Sequence, residues 1–121
     1  MGKTEKIREN YIFRRLYRRG KSEVSPCVVL YWQKVRGRST NRIGITATKK
    51  IGGAVSRNRA RRVINESYRL LEPNLATGYD FVIVARQKAC KVKMQTVSAD
   101  LTRLLSKIGG IKTTAKTKDN P

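Results

Sequence analysis

"KKIGGAVSRNRARRVINESYRLLEP", residues 49–73, reads as a glycine turn, an amphipathic helix and a proline stop. Gly52 and Gly53 allow a sharp change of chain direction, the helix is expected from about Val55 or Ser56 to Leu71, and Pro73 cannot continue it. At about 100° per residue, Ala60, Val63, Ile64, Ser67, Tyr68 and Leu71 collect on one side, which is the side that faces a core. Asn58, Arg61, Arg62, Asn65 and Arg69 fall opposite, with Arg57 and Arg59 at the boundary between the faces. A merely solvated helix interleaves acids at i+4, yet no acid follows Arg57 until Glu66. Cations near a helix N-terminus also oppose the macrodipole, so the cluster costs stability unless an external anion offsets it. Arginine, whose planar fork suits phosphate, predominates over lysine here.

The whole chain carries the same signal. Its 121 residues fit one domain, and 28 Lys and Arg against eight Asp and Glu give a formal charge of +20. That excess implies a polyanionic partner, with nucleic acid ahead of a membrane surface because no apolar anchor or clean amphipathic stripe accompanies it. The longest apolar stretch, Val28 to Trp32, is far below the ~20 residues needed to span a bilayer, and "MGKTEKIREN" lacks the apolar core of a signal peptide. A cytoplasmic protein is expected. Cys27 and Cys90 read as reduced packing residues, and the absence of histidine excludes histidine-based triads and the usual zinc sites. The acids form no close carboxylate cluster in sequence, so no catalytic and no metal-ligating residue is expected.

Outward from the helix, "RIGITAT" (42–48) alternates as a strand, and Cys27 to Gln33 forms a second; the two are expected to pair as an antiparallel hairpin. "YIFRRLYRRG" (11–20) gives an earlier helix capped by Asn10 and ended by Gly20. Asp80 to Ala85 is a continuous apolar strand suited to the middle of a sheet, and Val92 to Ile108 has helical spacing. The tail 109–121 has little to bury and is expected to be flexible and basic, leaving 1–108 as the domain. Phe13 and Tyr17 are i,i+4 neighbours on the first helix, and Tyr31 lies on the first strand. They fit either ordinary helix-on-sheet packing or a platform on which the bases of a single strand stack between arginines 14, 15, 18 and 19.

"KKIGGAVSRNRARRVINE", preceded by "FRRLYRRGKS" and "RIGITAT" and followed by "GYDFVIVAR", resembles the bacterial ribonuclease P protein family across roughly residues 7 to 108. Arg57-Asn58-Arg59 matches its RNR motif, with Ala54 before it and Arg61-Arg62 after it. The resemblance implies an α+β fold with α-β-β-α-β-α order around one mixed sheet, ribosomal-protein-like, with a left-handed βαβ crossover. It implies a protein subunit that binds the catalytic RNA through Arg57, Asn58, Arg59, Arg61 and Arg62, and the 5′ leader of precursor tRNA through Phe13, Tyr17 and Tyr31 with Lys50 at the cleft's edge; Arg69, one turn beyond Asn65, is expected to compensate for the charge missing there. Leader removal in tRNA 5′ maturation would then be catalysed by the RNA with its own Mg²⁺. The protein would bind no cofactor and be monomeric without RNA. Asn65 departs from the Lys or Arg usual there, and Thr48 from the usual Ser. A ribosomal or general RNA-packaging protein and a DNA-binding module are the other readings of so basic a surface, the last without a recognisable helix-turn-helix to support it.

Overall fold

The computed structural model describes residues 3–111. Its elements are β1 (Thr4–Lys6), α1 (Asn10–Arg19), β2 (Lys21–Val24), β3 (Val28–Lys34), β4 (Asn41–Thr46), α2 (Ala54–Leu71), β5 (Tyr79–Ala85) and α3 (Met94–Lys107). The strands form one mixed sheet in the order β1-β4-β5-β3-β2, parallel from β1 through β5 and antiparallel from β5 to β2. This is the expected α+β domain, with two short charged strands, "TEK" and "KSEV", added at the sheet edges. α1 begins one residue earlier than a cap at Asn10 requires: Asn10 is already helical and Glu9 occupies the cap position without a side-chain hydrogen bond.

The expected hairpin between β3 and β4 does not form, because β5 lies between them. Val28 to Lys34 pair antiparallel with Ala85 to Tyr79, while Arg42 to Thr46 run parallel with Asp80 to Val84. The loop between β3 and β4 opens around the start of β5: Val35 N–H donates to the Gly78 carbonyl at 2.6 Å, and Gly78 N–H to the Thr40 carbonyl at 3.2 Å. Gly78 has φ +91°, and a Cβ there would lie 3.1 Å from the carbonyl oxygens of both Val35 and Arg38, so glycine suits the position twice over. The physical reason for the insertion is apolar area. "YDFVIVA" is apolar on both faces, and only a central strand covered on both sides keeps such a run from water.

Strand alternation divides that run between two cores. Phe81, Ile83 and Ala85 join Val28, Leu30, Ile43 and the inner faces of α2 and α3 in the larger core. Val82 faces the other way, against Ile12 and Leu16 of α1 and Ile7, with Phe13, Tyr31 and Val84 around them. On α2 the buried residues are Ala60, Val63, Ile64, Ser67 and Tyr68, as the periodicity requires. Packing extends past the expected domain end at 108. Ile111 is buried and bridges Leu75, and Ala76 N–H donates to the Gly110 carbonyl at 2.7 Å; residues 112–121 of the expected tail lie outside the described residues. Both cysteines are free, and burial, helped by the Asp100 carboxylate, pushes the Cys27 thiol up to about 11.

Asp80, fully buried in β5, is the acid around which three arginines gather. Burial would raise its carboxyl, but hydrogen bonds from Arg42 and Arg38, and their charge, outweigh burial and hold it below the ordinary carboxylate value. The network therefore contributes its full stability above the unfolded value of about 3.9, and that contribution is lost as pH falls through the lowered folded value. Asp80→Asn is expected to cost about 3 kcal/mol or more at neutral pH and to flatten the acid limb of stability against pH, measured by urea unfolding across the acid range. An unchanged acid limb would show that the carboxylate is not the group titrating.

Candidate nucleic-acid interface

The outer face of α2 is basic as its sequence dictates, although its arginines are not equivalent. Asn58, Arg62 and Arg69 are exposed, while Arg57, Arg59, Arg61 and Asn65 are half-buried. Arg57 Nη1 donates to the Gly52 carbonyl at 2.9 Å, which braces the glycine turn. Arg61 reaches the Ala47 carbonyl at 3.4 Å and Asn58 Oδ1 at 2.9 Å, fixing both side chains on the β4 side of the helix. Arg59 turns to the other flank, donating to the Cys90 and Val92 carbonyls at 3.3 and 3.2 Å in the chain leading into α3. Arg69 is paired with Glu66 at 2.7 Å. Arg62 projects into solvent and, among the described residues, donates to no protein acceptor. The sequence thus places Asn58, Arg61, Arg62 and Arg69 on the outward side, where Arg69 is paired with Glu66, and the structure turns Arg59 to the other flank.

No acid lies in the first turn of α2, and Gly53 at its cap offers no side chain, so its first N–H groups remain available. Lys49 and Lys50, both exposed, stand in the helical turn Lys49–Ile51 just before it. Cationic side chains and free amide donors converge there, an arrangement that favours phosphate.

The aromatic residues share one side of the sheet. Phe13, Tyr31 and Val84 surround the small core beneath α1. Tyr17 and Tyr31 meet edge to face with centroids 4.9 Å apart, and the Tyr17 hydroxyl lies 3.4 Å from Thr46 Oγ1. Tyr17 remains 41 % exposed, so one of its surfaces is open to a ligand. Phe13 is the better packed: a Cβ at Gly44 would sit 2.5 Å from its ring carbons, so the ring occupies the space that glycine leaves on β4. The packing reading holds for Phe13, while Tyr17 and Tyr31 keep ring surface at the edge of the small core. Phe13 serves as floor, whereas Tyr17 and Tyr31 present usable ring surface.

Two clefts extend this platform. One is an open concavity lined by Lys49, Lys50, Val84, Arg86 and Gln87, where Gln87 Nε2 donates to the Lys50 carbonyl at 3.1 Å. It brings Lys50 beside the platform through Val84 and adds Arg86, a cation that the sequence pattern alone does not single out, even though its position directly after the central strand marks that strand's open end. The second cleft, about 280 Å³, forms beyond the end of β1, whose last pair is Lys6 with Ile43. Lys6, Phe13, Gly44 and Ile45 line it together with Arg61 and Asn65 of α2. The aromatic platform and the basic helix, which occupy opposite faces of the sheet, thus meet around the outer edge of β4. Asn65 stands in the wall of this junction.

Comparison with known proteins points the same way. The family profile described as Ribonuclease P matches residues 1–109. The chain is 44 % identical over 110 residues to the "Ribonuclease P protein component" of Clostridium novyi (strain NT), covering 90 % of this chain and 97 % of that one. It is 38 % identical over 105 residues to the protein of the same name from Thermoanaerobacter sp. (strain X514), covering 87 % and 90 %. Among solved structures, the Staphylococcus aureus RNase P protein superposes with TM-score 0.78 at 27 % identity, over 88 % of this chain and 96 % of that one. The Thermotoga maritima RNase P protein does so with TM-score 0.76 at 29 % identity, over 85 % and 96 %.

The Gly44 contact makes a test of the platform's geometry. Gly44→Ala is expected to push Phe13 off β4 and cost about 1–3 kcal/mol by overpacking. The pairing Gly44→Ala with Phe13→Leu should recover part of that loss in denaturant unfolding. Independent, additive losses would show that the ring does not rest on this glycine.

Proposed function

The chain belongs to the ribonuclease P protein family, and on that premise we propose that it binds the catalytic RNA of ribonuclease P through α2 and the 5′ leader of precursor tRNA across the aromatic platform. The observation carrying this reading is the shared cleft at β4, which sets Phe13 against Arg61 and Asn65 and so lets two RNA segments lie on adjoining surfaces. Arg62, with Arg57 and Lys49 at the helix start, neutralises phosphates of the RNA subunit and releases counterions, and Asn58 adds an uncharged hydrogen-bonding group beside them. Tyr17 and Tyr31 stack unpaired leader bases, and Lys50 and Arg86 hold the leader backbone beside them. Arg59 and Arg69 contribute charge from positions already fixed by protein contacts.

Phosphodiester cleavage is assigned to the RNA subunit and the Mg²⁺ ions it binds. The chemistry of the donor set supports that division. The two buried aspartates are committed, Asp80 to arginines and Asp100 to the Cys27 N–H and Arg103, and among the described residues no group of three or more acids or cysteines converges. What the protein supplies is position and charge. It lowers repulsion between two polyanions, so the assembly reaches its active arrangement with less free Mg²⁺. Among the described residues no helix is long and apolar enough to cross a membrane, and RNA remains the polyanion that a +20 surface fits best.

Adding the protein to a bacterial ribonuclease P RNA at low Mg²⁺ is expected to restore leader removal from precursor tRNA. Arg62→Ala should weaken assembly and reduce the salt slope of binding by roughly one unit. Unchanged affinity and slope would remove α2 from the interface. Tyr31→Ala should weaken binding of leader-bearing precursor by about 1–3 kcal/mol while sparing mature tRNA. Equal losses for both RNAs would contradict the leader assignment, and equal binding to ribosomal RNA fragments with no effect on processing would favour a general RNA-packaging protein.

A further inference from the structure

α1 has two flanks above the sheet. Phe13 and Tyr17 occupy the first, and Arg15 lies on the other, above Asp80. Arg42 forks onto that carboxylate, Nε to Oδ1 and Nη2 to Oδ2, both at 2.9 Å. Arg38 donates from Nη2 to Asp80 Oδ1 and the Tyr79 carbonyl and from Nε to the Thr40 carbonyl. Arg15 Nη2 stands 3.7 Å from Oδ2 without a hydrogen bond, its guanidinium 6.0 Å from the centroid of the Tyr11 ring.

One carboxylate here faces three guanidinium groups, which leaves two positive charges over. The Arg42 fork and the Arg38 hydrogen bond already satisfy Asp80, so the third cation approaches it at ion-pair distance, against the Tyr11 ring, without a hydrogen bond of its own. Arg15, Arg38 and Arg42 keep 38, 23 and 24 % of their side-chain surface exposed, and among the described residues the Nη1 amino group of each donates to no protein acceptor. Guanidinium groups held in fixed positions by a buried acid, with free N–H groups turned to solvent, make a preorganised anion receptor. Glu5 and Glu9 line a cleft on the β1 side of Arg42, together with Lys6 and Arg8, and neither Arg15 nor Arg38 lines it.

We propose that Arg15, Arg38 and Arg42, organised around Asp80, form a phosphate-binding site for an RNA backbone on the flank of α1 opposite the aromatic platform. A monoanionic phosphodiester reduces the local excess without reversing it. RNA crossing α1 is then held on both sides of the helix, by stacking on one and by charge on the other. This rests on the RNA-binding function proposed above, to which it adds an anchoring point that neither α2 nor the platform supplies.

The test uses the full chain, the Arg15→Gln/Arg38→Gln variant, which keeps the Arg42 fork on Asp80, and Arg62→Ala as a reference. Thermal midpoints are recorded first. Should the double variant not fold, the single Arg15→Gln, which removes no protein hydrogen bond, takes its place. Each protein is titrated with precursor tRNA across a series of salt concentrations and, separately, with inorganic phosphate. The double variant is expected to bind precursor more weakly, with a salt slope smaller by about 0.7 for each single-strand phosphate no longer neutralised, and to show a smaller phosphate-induced thermal shift than the unaltered chain, the remainder coming from the other phosphate-favouring site that it retains at the start of α2. An unchanged slope in the double variant beside a reduced slope in the Arg62→Ala assembly with the RNA subunit overturns this site and leaves the RNA-binding reading intact. A thermal response to inorganic phosphate with no change toward RNA also overturns it, as a free-anion site only. If no variant alters binding to either RNA, the broader reading fails with it.

Discussion

Covering both faces of β5 is the constraint on which the rest depends. Tyr79–Ala85 buries six of its seven residues outright, and it does so by lying between β3 and β4 with α1 on one side and α2 and α3 on the other. Each of those helices contributes a different surface. Because α1 crosses one face and α2 the other, the aromatic residues beneath α1 and the arginines of α2 lie on opposite sides of the sheet, and the two surfaces meet around the uncovered outer edge of β4. A strand that paired further along β4 would close that edge and separate the two surfaces.

Charge is the second constraint. A surface of +20 repels itself, and the chain moderates the effect by anchoring arginines on carbonyl oxygens and by concentrating others around the few buried acids. Such anchoring commits part of each guanidinium and holds the remainder in place, so the loss of side-chain entropy on meeting RNA is partly met in the free protein. Arg62 is the contrast, an exposed cation whose whole donor set is available. The basic surface of the domain therefore combines prearranged cations with free ones.

Much of this was legible in the sequence where a short-range period carried it. The two faces of α2 follow from a 3.6-residue repeat, and the inner position of β5 follows from its unbroken apolar run. Pairing is a long-range property and was harder to read. The nearness of β3 and β4 in sequence suggested a hairpin, whereas the apolar demand of β5, more than thirty residues on, decided the order. β1 and β2 are short edge strands of mostly charged residues, and edge strands carry little apolar alternation to betray them. Arg59 sat at the boundary of the helical wheel, and its partners at Cys90 and Val92 lie on a segment whose approach no local pattern announces. Asp80 was visible only as an acid in an apolar strand; the register that brings Arg42 and Arg38 to it comes from the sheet. The placement of Phe13 on Gly44 belongs to the same kind, two ordinary residues made specific by strand position.

The central claim is that the two kinds of RNA dock on different, adjoining surfaces of one small domain. Backbone amide chemical shifts of the isotopically labelled chain, followed as a leader RNA and then a fragment of the RNA subunit are added, address it most directly. The account requires the leader to move resonances of Tyr17, Tyr31, Val84 and Arg86, and the subunit fragment to move those of Asn58, Arg61 and Arg62, with both sets shifted when both RNAs are present. Displacement of one RNA by the other from a common set of residues would contradict it.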